Sequence, residues 1–158
     1  MNQLADWLGR TDTFSTAMAA YDKAAADFRT RHAASLRNAR VGILAYYDPE
    51  LSLVHDPVKL LPPQVFTDLG GQLATIKGRS GTDKVSLENL DLLDDLDAIF
   101  LLAPKADIGG LDSNKLWRRV PAVSRSRVVV ADERTYYGSI YSATELVTQF
   151  DKLFSTLT

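Results

Sequence analysis

Five of the six tyrosines in this 158-residue chain stand in two clusters, Tyr46 and Tyr47, then Tyr136, Tyr137 and Tyr141. Tyrosine offers a large rigid face at low entropic cost and a hydroxyl as a polar handle, so such clusters suit ligand contact. They equally suit packing at loop edges, and alternation along an extended chain turns only one of each adjacent pair toward a given side. Asp48 follows the first pair, while Arg79, Lys105 and Arg134 each lie just beyond an apolar segment. A guanidinium or ammonium there would compensate an anionic ligand or remain solvated.

His55, within Leu51-Ser52-Leu53-Val54-His55-Asp56-Pro57, has metal-ligand chemistry, since imidazole, a carboxylate and two phenolates would make a ferric site. No second histidine stands at ligand spacing, so a surface or capping role is the plainer reading. His32 is expected to be solvated on a long helix. The acidic run Asp91, Asp94, Asp95 and Asp97 lacks the glycine and terminal glutamate of a calcium-binding loop and reads as a solvated face. Phospho-acceptor chemistry at Asp48 requires an acidic pair after the first strand and a lysine after the last; the chain has one aspartate, then Asp-Glu-Arg. No Gly-x-Ser-x-Gly elbow, P-loop or dinucleotide glycine fingerprint is present, and the residues point away from an enzyme.

The elements that must position these groups alternate. Residues 2–9 read as a helix end stopped at Gly9, and Thr11-Asp12-Thr13 supplies capping side chains for a longer helix with the stripe Phe14, Ala17, Met18, Tyr21, Ala25 and Phe28. A buried strand is predicted over 40–46, a long proline-bearing loop over 47–63, a short helix over 65–69 closed by Gly70-Gly71, and a short strand over 73–76. A polar loop (77–84), helix (86–94), strand (97–103), helix (111–120), strand (127–131) and final helix (141–157) follow. The sum is an α/β chain, a three-layer α/β/α sandwich on a mostly parallel sheet of about four to five strands. Ligands of such sheets sit outside the carboxyl ends of the strands, here 46–48, 77–79, 103–105 and 132–137.

A net charge of −2 removes the electrostatic footprint of a nucleic-acid binder. The absence of cysteine excludes disulfides and thiolate metal sites. The first residues show no basic region followed by an apolar run, and no segment reaches membrane-spanning length.

One ordered set of words carries a resemblance: Ser86-Leu87-Glu88, Asp97-Ala98-Ile99-Phe100, Trp117, Pro121-Ala122-Val123, and Arg127-Val128 through Asp132. Leu8-Gly9-Arg10 and Phe66-Thr67-Asp68-Leu69-Gly70-Gly71 precede it, and Ser142-Ala143 follows. In this order they resemble the helix-linked (class III) substrate-binding proteins of bacterial importers for ferric siderophores, haem and cobalamin. The resemblance covers nearly the whole chain but about half of the family's usual protein. It implies a carboxy-terminal lobe over residues 10–158, with 1–9 the end of the helix linking two lobes, and the amino-terminal lobe and signal absent.

The implied function is that of a non-enzymatic, cofactor-free binding component of an ABC transporter, at the periplasmic or extracellular face of the membrane and lipid-anchored in the full-length protein. It would hold a ferric siderophore between its lobes and dock on the permease through acidic residues, with Asp68 or a carboxylate near Glu50 as candidates. The ligand-binding set is Tyr46, Tyr47, Asp48, Arg79, Lys105, Arg134, Tyr136 and Tyr137, the last two standing where the family usually carries a tryptophan. Leu51, Leu53 and Val54 are expected to be exposed toward ligand or the other lobe, with Trp7 and Trp117 as packing anchors. Haem or cobalamin binding by the same fold is the alternative; from a different class, a small flavodoxin-like enzyme or a receiver-like domain.

Overall fold

Strand β1 (Val41–Tyr47) lies at the centre of the sheet because it is apolar on both faces: Val41, Ile43 and Ala45 enter one core, Leu44 and Tyr46 the other. The computed structural model describes residues 10–56, 58–76, 84–132, 135 and 138–157. Strands β2 (Glu50–Leu53), β3 (Lys84–Val85), β4 (Ala98–Ala103) and β5 (Val128–Asp132) complete five strands in the order β3-β2-β1-β4-β5. β1 pairs in parallel with β4, and β4 with β5, whereas β2 runs antiparallel to β1 and to β3. All strands but β2 therefore share one direction, and helices cover both faces, as the alternation predicts.

The antiparallel strand arises where a loop is expected. Tyr47-Asp48-Pro49-Glu50 turns the chain through a cis Asp48–Pro49 bond and lays β2 along β1 from Leu44 to Tyr47. The strand expected over 73–76 is reduced to one parallel bridge, Leu73 to Val41, because β2 occupies the rest of that edge. Leu51, Leu53 and Val54 are buried in the cores by this hairpin, not exposed.

One face lies beneath α1 (Thr11–Arg31), α2 (Ala33–Asn38), α3 (Leu61–Asp68) and α6 (Ile140–Ser155). Phe28, Phe66, Phe150 and Phe154 converge there on Phe100 of β4, with ring centroids 4.4 Å apart for Phe100–Phe150 and 5.1 Å for Phe66–Phe150. α1 is preceded by Arg10 with no side-chain cap, so the expected Thr11-Asp12-Thr13 cap lies inside the first turn. α3 starts at Leu61, four residues before the expected 65, because Pro62 and Pro63 suit a first helical turn, where their missing N–H groups cost nothing. Gly70, at φ +87°, closes it as the double glycine predicts.

His32, expected in solvent, is buried where α1 passes into α2. Its ring lies against Phe28 and Phe154, and Nε2 is 2.8 Å from Asp151 Oδ1 on α6. Burial works against ionisation of Asp151, but Arg31 and His32 outweigh it and hold the carboxyl below its usual range.

The other face is covered by short pieces: 3₁₀ turns at Leu90–Leu93, Pro104–Ala106 and Trp117–Arg119, with α4 (Gly109–Asp112) and α5 (Pro121–Ser124). The helix expected over 86–94 gives way to a turn and a 3₁₀ segment. Leu90, Leu93 and Leu96, all buried, recur at intervals of three, the period of a 3₁₀ helix. The helix expected over 111–120 is broken at Asn114, whose side chain accepts hydrogen bonds from the N–H groups of Leu116 (2.8 Å) and Trp117 (3.4 Å) and restarts the chain. Trp117 is buried as a core anchor.

Candidate functional site

Where β1 and β4 leave the sheet, their carboxyl ends enclose a pocket of about 290 Å³ lined by Tyr46, Asp48, Pro104, Lys105, Asp107, Gly109 and Gly110. β1 alternation turns Tyr46 inward, with 2% of its surface exposed, and its hydroxyl donates to Asp48 Oδ1 at 2.9 Å. Burial, then the hydrogen bond and charge of Asp48 and the charge of Asp107, push the phenol up to about 12. It is therefore a protonated donor throughout the neutral range, and it fixes the Asp48 carboxyl over the turn.

The facing wall is an irregular exit from β4. Lys105 and Ala106 both adopt φ 55°, a left-handed conformation that costs residues with a Cβ roughly 1–2 kcal/mol each. Asp107 Oδ1 then accepts the Gly109 N–H at 3.0 Å and turns the chain into α4. A Cβ at Gly110 would lie 2.6 Å from Tyr46 Oη and 3.1 Å from Asp48 Oδ2, so only glycine lets α4 approach the phenol. Lys105 is exposed, and its ammonium has no ion-pair partner among the described residues.

Of the sequence-derived candidates, Tyr46, Asp48 and Lys105 come together here. Tyr47, 46% exposed, faces away from Tyr46 as strand alternation requires. Arg79, Arg134, Tyr136 and Tyr137 lie outside the described residues, as do residues 1–9 with Trp7. Tyr141 is exposed in the first turn of α6. Sequence reasoning missed Asp107 and Gly110; the available signal was the Asp-Ile-Gly-Gly string after a strand end, a turn signature with an aspartate able to cap it. His55 is half-buried between β2 and α3, and among the described residues no group of three or more histidine or carboxylate side chains is placed to hold a metal ion.

A second hollow, about 310 Å³, opens at the amino ends of β4 and β5 between Asn38, Asp97 and Arg127. Its carboxylate is committed to structure: Asp97 Oδ2 accepts the Arg40 N–H at 2.8 Å, and the Asp97 N–H donates to the Arg40 carbonyl at 2.9 Å.

No family model and no curated protein matches the sequence. Among solved structures the chain is similar to the siderophore periplasmic binding protein from the fuscachelin gene cluster of Thermobifida fusca, at 18% identity and a TM-score of 0.79, over 97% of this chain and 58% of that one. It is also similar to the triscatecholate siderophore binding protein FeuA from Bacillus subtilis complexed with ferri-bacillibactin, at 18% identity and a TM-score of 0.74, over 95% and 56%. FhuD2 from Staphylococcus aureus with bound ferrioxamine B gives 15% and 0.74, over 99% and 64%. The likeness is one of fold, and this chain spans less than two thirds of the length of each.

Proposed function

We propose, from the fold shared with these siderophore-binding periplasmic proteins, that this chain is the carboxy-terminal lobe of the substrate-binding component of an ABC importer. It binds a ferric siderophore against the carboxyl ends of its strands and passes it to a membrane permease. The observation that carries this reading is the convergence of Tyr46, Asp48 and Lys105 on one pocket outside two parallel strand ends, where open α/β sheets take their ligands. Arg79, Arg134, Tyr136 and Tyr137 are the further ligand contacts of this reading, and an amino-terminal lobe of the same protein is the other half of the cleft. The work is done at the periplasmic or extracellular face, on a lipid anchor. Among the described residues no helix is long and apolar enough to cross a membrane.

Asp68 or Glu50 meets the permease. Asp68 is exposed at the end of α3 and accepts a long hydrogen bond from Tyr21 at 3.4 Å, while Glu50 is paired with Lys84 at 2.8 Å. The less committed carboxylate, Asp68, is the better contact. No nucleic acid and no catalytic step enter this reading, and the neighbours being binding proteins supports it.

A single lobe provides part of the ligand surface. If the whole protein holds its ligand at nanomolar level, about −12 kcal/mol, an even division leaves this lobe about −6, or tens of micromolar. Quenching of tyrosine and tryptophan fluorescence by a ferric hydroxamate, a ferric catecholate, haem and cobalamin tests this. Saturable quenching by one ferric siderophore, weakened in Lys105→Ala and in the Tyr136→Ala/Tyr137→Ala double variant, is the expected outcome. A response to haem or cobalamin alone replaces the ligand class, and a flat response to all four into the millimolar range sinks the proposal.

A further inference from the structure

We propose that the turn layer carries a docking surface for anionic lipid headgroups, centred on Leu116 and the cations around it and separate from the strand-end pocket. It rests on the reading above only for its place at a membrane face, and is independent of what the pocket binds. The first observation is a segregation of charge. Residues 113–131 hold five cations, Lys115, Arg118, Arg119, Arg125 and Arg127, and no carboxylate, whereas the remainder of the chain holds the other 13 lysines and arginines against all 20 acidic residues. Every residue of that segment is described. Arg127, half-buried, lines the hollow at the amino ends of β4 and β5, and the other four are exposed.

The backbone gathers these groups on the solvent side. Trp117 and Val120, three residues apart, are both buried, and on a turn of three residues that leaves Lys115 with Arg118, and Leu116 with Arg119, as the two outward rows. Arg125 follows α5, which packs against that turn. Leu116 is 41% exposed among the cations. Among the described residues none of the five forms an ion pair, and the one side-chain hydrogen bond is Arg118 Nε donating to the Asp112 carbonyl at 2.7 Å. Such a set repels itself in the free protein, and an anionic partner relieves the repulsion. Two features favour a headgroup layer over an acidic protein. Long, unpaired cations adapt to a fluid array of phosphates, which asks for no fixed geometry. A single leucine between them suits an interface where an apolar side chain sinks to the acyl boundary while lysine and arginine stay at the headgroups.

The test is co-sedimentation of this chain with vesicles of phosphatidylcholine alone and of phosphatidylcholine mixed in equal parts with phosphatidylglycerol. The expected result is at least about tenfold greater partition onto the mixed vesicles, shrinking as salt is raised from about 0.05 to 0.5 M. Lys115→Ala/Arg119→Ala/Arg125→Ala removes three cations whose side chains hold no hydrogen bond or ion pair among the described residues. It should bring partition down to the level of the neutral vesicles and leave the unfolding midpoint in place. Leu116→Ala should lower partition about threefold and keep the salt dependence. Lys23→Ala, on α1 across the sheet, should change nothing. Equal partition onto both vesicles, or no loss in the triple variant, overturns the inference. Retention on immobilised polyglutamate without binding to the anionic vesicles also overturns it and gives the surface to an acidic protein. Each of these outcomes leaves siderophore binding, read separately by fluorescence, as it stands.

Discussion

On one face of the sheet, three long helices bring Phe28, Phe66, Phe150 and Phe154 onto Phe100; on the other, the chain fills the same depth with leucines carried on turns of three or four residues. The aromatic face obeys helical periodicity, and its shape follows from long apolar stripes. The turn face obeys local side-chain hydrogen bonds, with Asn114 restarting the chain before Trp117 and Asp107 capping the entry to Gly109. The pocket opens only within that second layer, where two left-handed residues and a glycine pair leave acceptors uncovered. The long helices leave a continuous apolar core, and the interrupted layer leaves a recess lined by polar groups.

The contrast is most strongly tested at Phe150, whose ring touches both Phe66 and Phe100. Phe150→Ala should lower unfolding stability by about 3–5 kcal/mol in urea titration. A loss no larger than that of the pocket variants below would break the contrast. Gly110→Ala should cost about 1–3 kcal/mol by overpacking and abolish the ligand response in fluorescence, because the new methyl displaces the Tyr46 hydroxyl or the Asp48 carboxyl. Unchanged ligand affinity in that variant would detach the pocket from function.

Asp151→Asn sharpens the comparison from the scaffold side, with an expected loss of about 1 kcal/mol at neutral pH. The folded carboxyl titrates below its ordinary range, so its stabilisation is present above that range and disappears as pH falls through the folded value. Wild type and variant should therefore converge in acid denaturation curves below about pH 4. The smallest effect is expected for Tyr46→Phe, about 0.5–1 kcal/mol. With the phenol raised to about 12, its contribution is complete below pH 10 and is lost between 10 and 12. Tyr21, raised to about 12 by burial and by Asp68, ionises in the same window. Alkaline absorbance titration should show one late-ionising phenol fewer in the variant, and an unchanged late phase would overturn the Tyr46 assignment.

The same division decides what was legible in the sequence. β1, β4 and β5 are continuous apolar runs, and α1 and α6 carry stripes at spacings of three and four, so both the sheet and its aromatic cover were readable. The Leu90-Leu93-Leu96 spacing was also visible, but its reading as an α-helix overlooked that intervals of three alone describe a tighter turn. Tyr46, Asp48 and Lys105 followed from the rule that ligands gather at strand ends. Gly110 did not, because its role is to have no side chain against a phenol from a distant strand, a constraint that exists only once the chain is folded. His32 was misplaced for the same reason, since its partner Asp151 is 119 positions away.

β1 lies between a sequence neighbour and a distant strand, so its two edges close very different lengths of chain. The β1–β2 hairpin closes through a short local turn, whereas pairing β1 with β4 brings together positions as far apart as Arg40 and Asp97, separated by 57 residues, and bears the loop-closure entropy of that span. Asp48 stands on the local turn and Asp107 beyond the distant strand, so the pocket exists only where both pairings are in place. Any ligand that spans the two binds only the chain in which both pairings are made, and it would stabilise the fold by RT ln(1 + c/Kd), where c is its free concentration, an amount set by that concentration and not by any added contact within the protein.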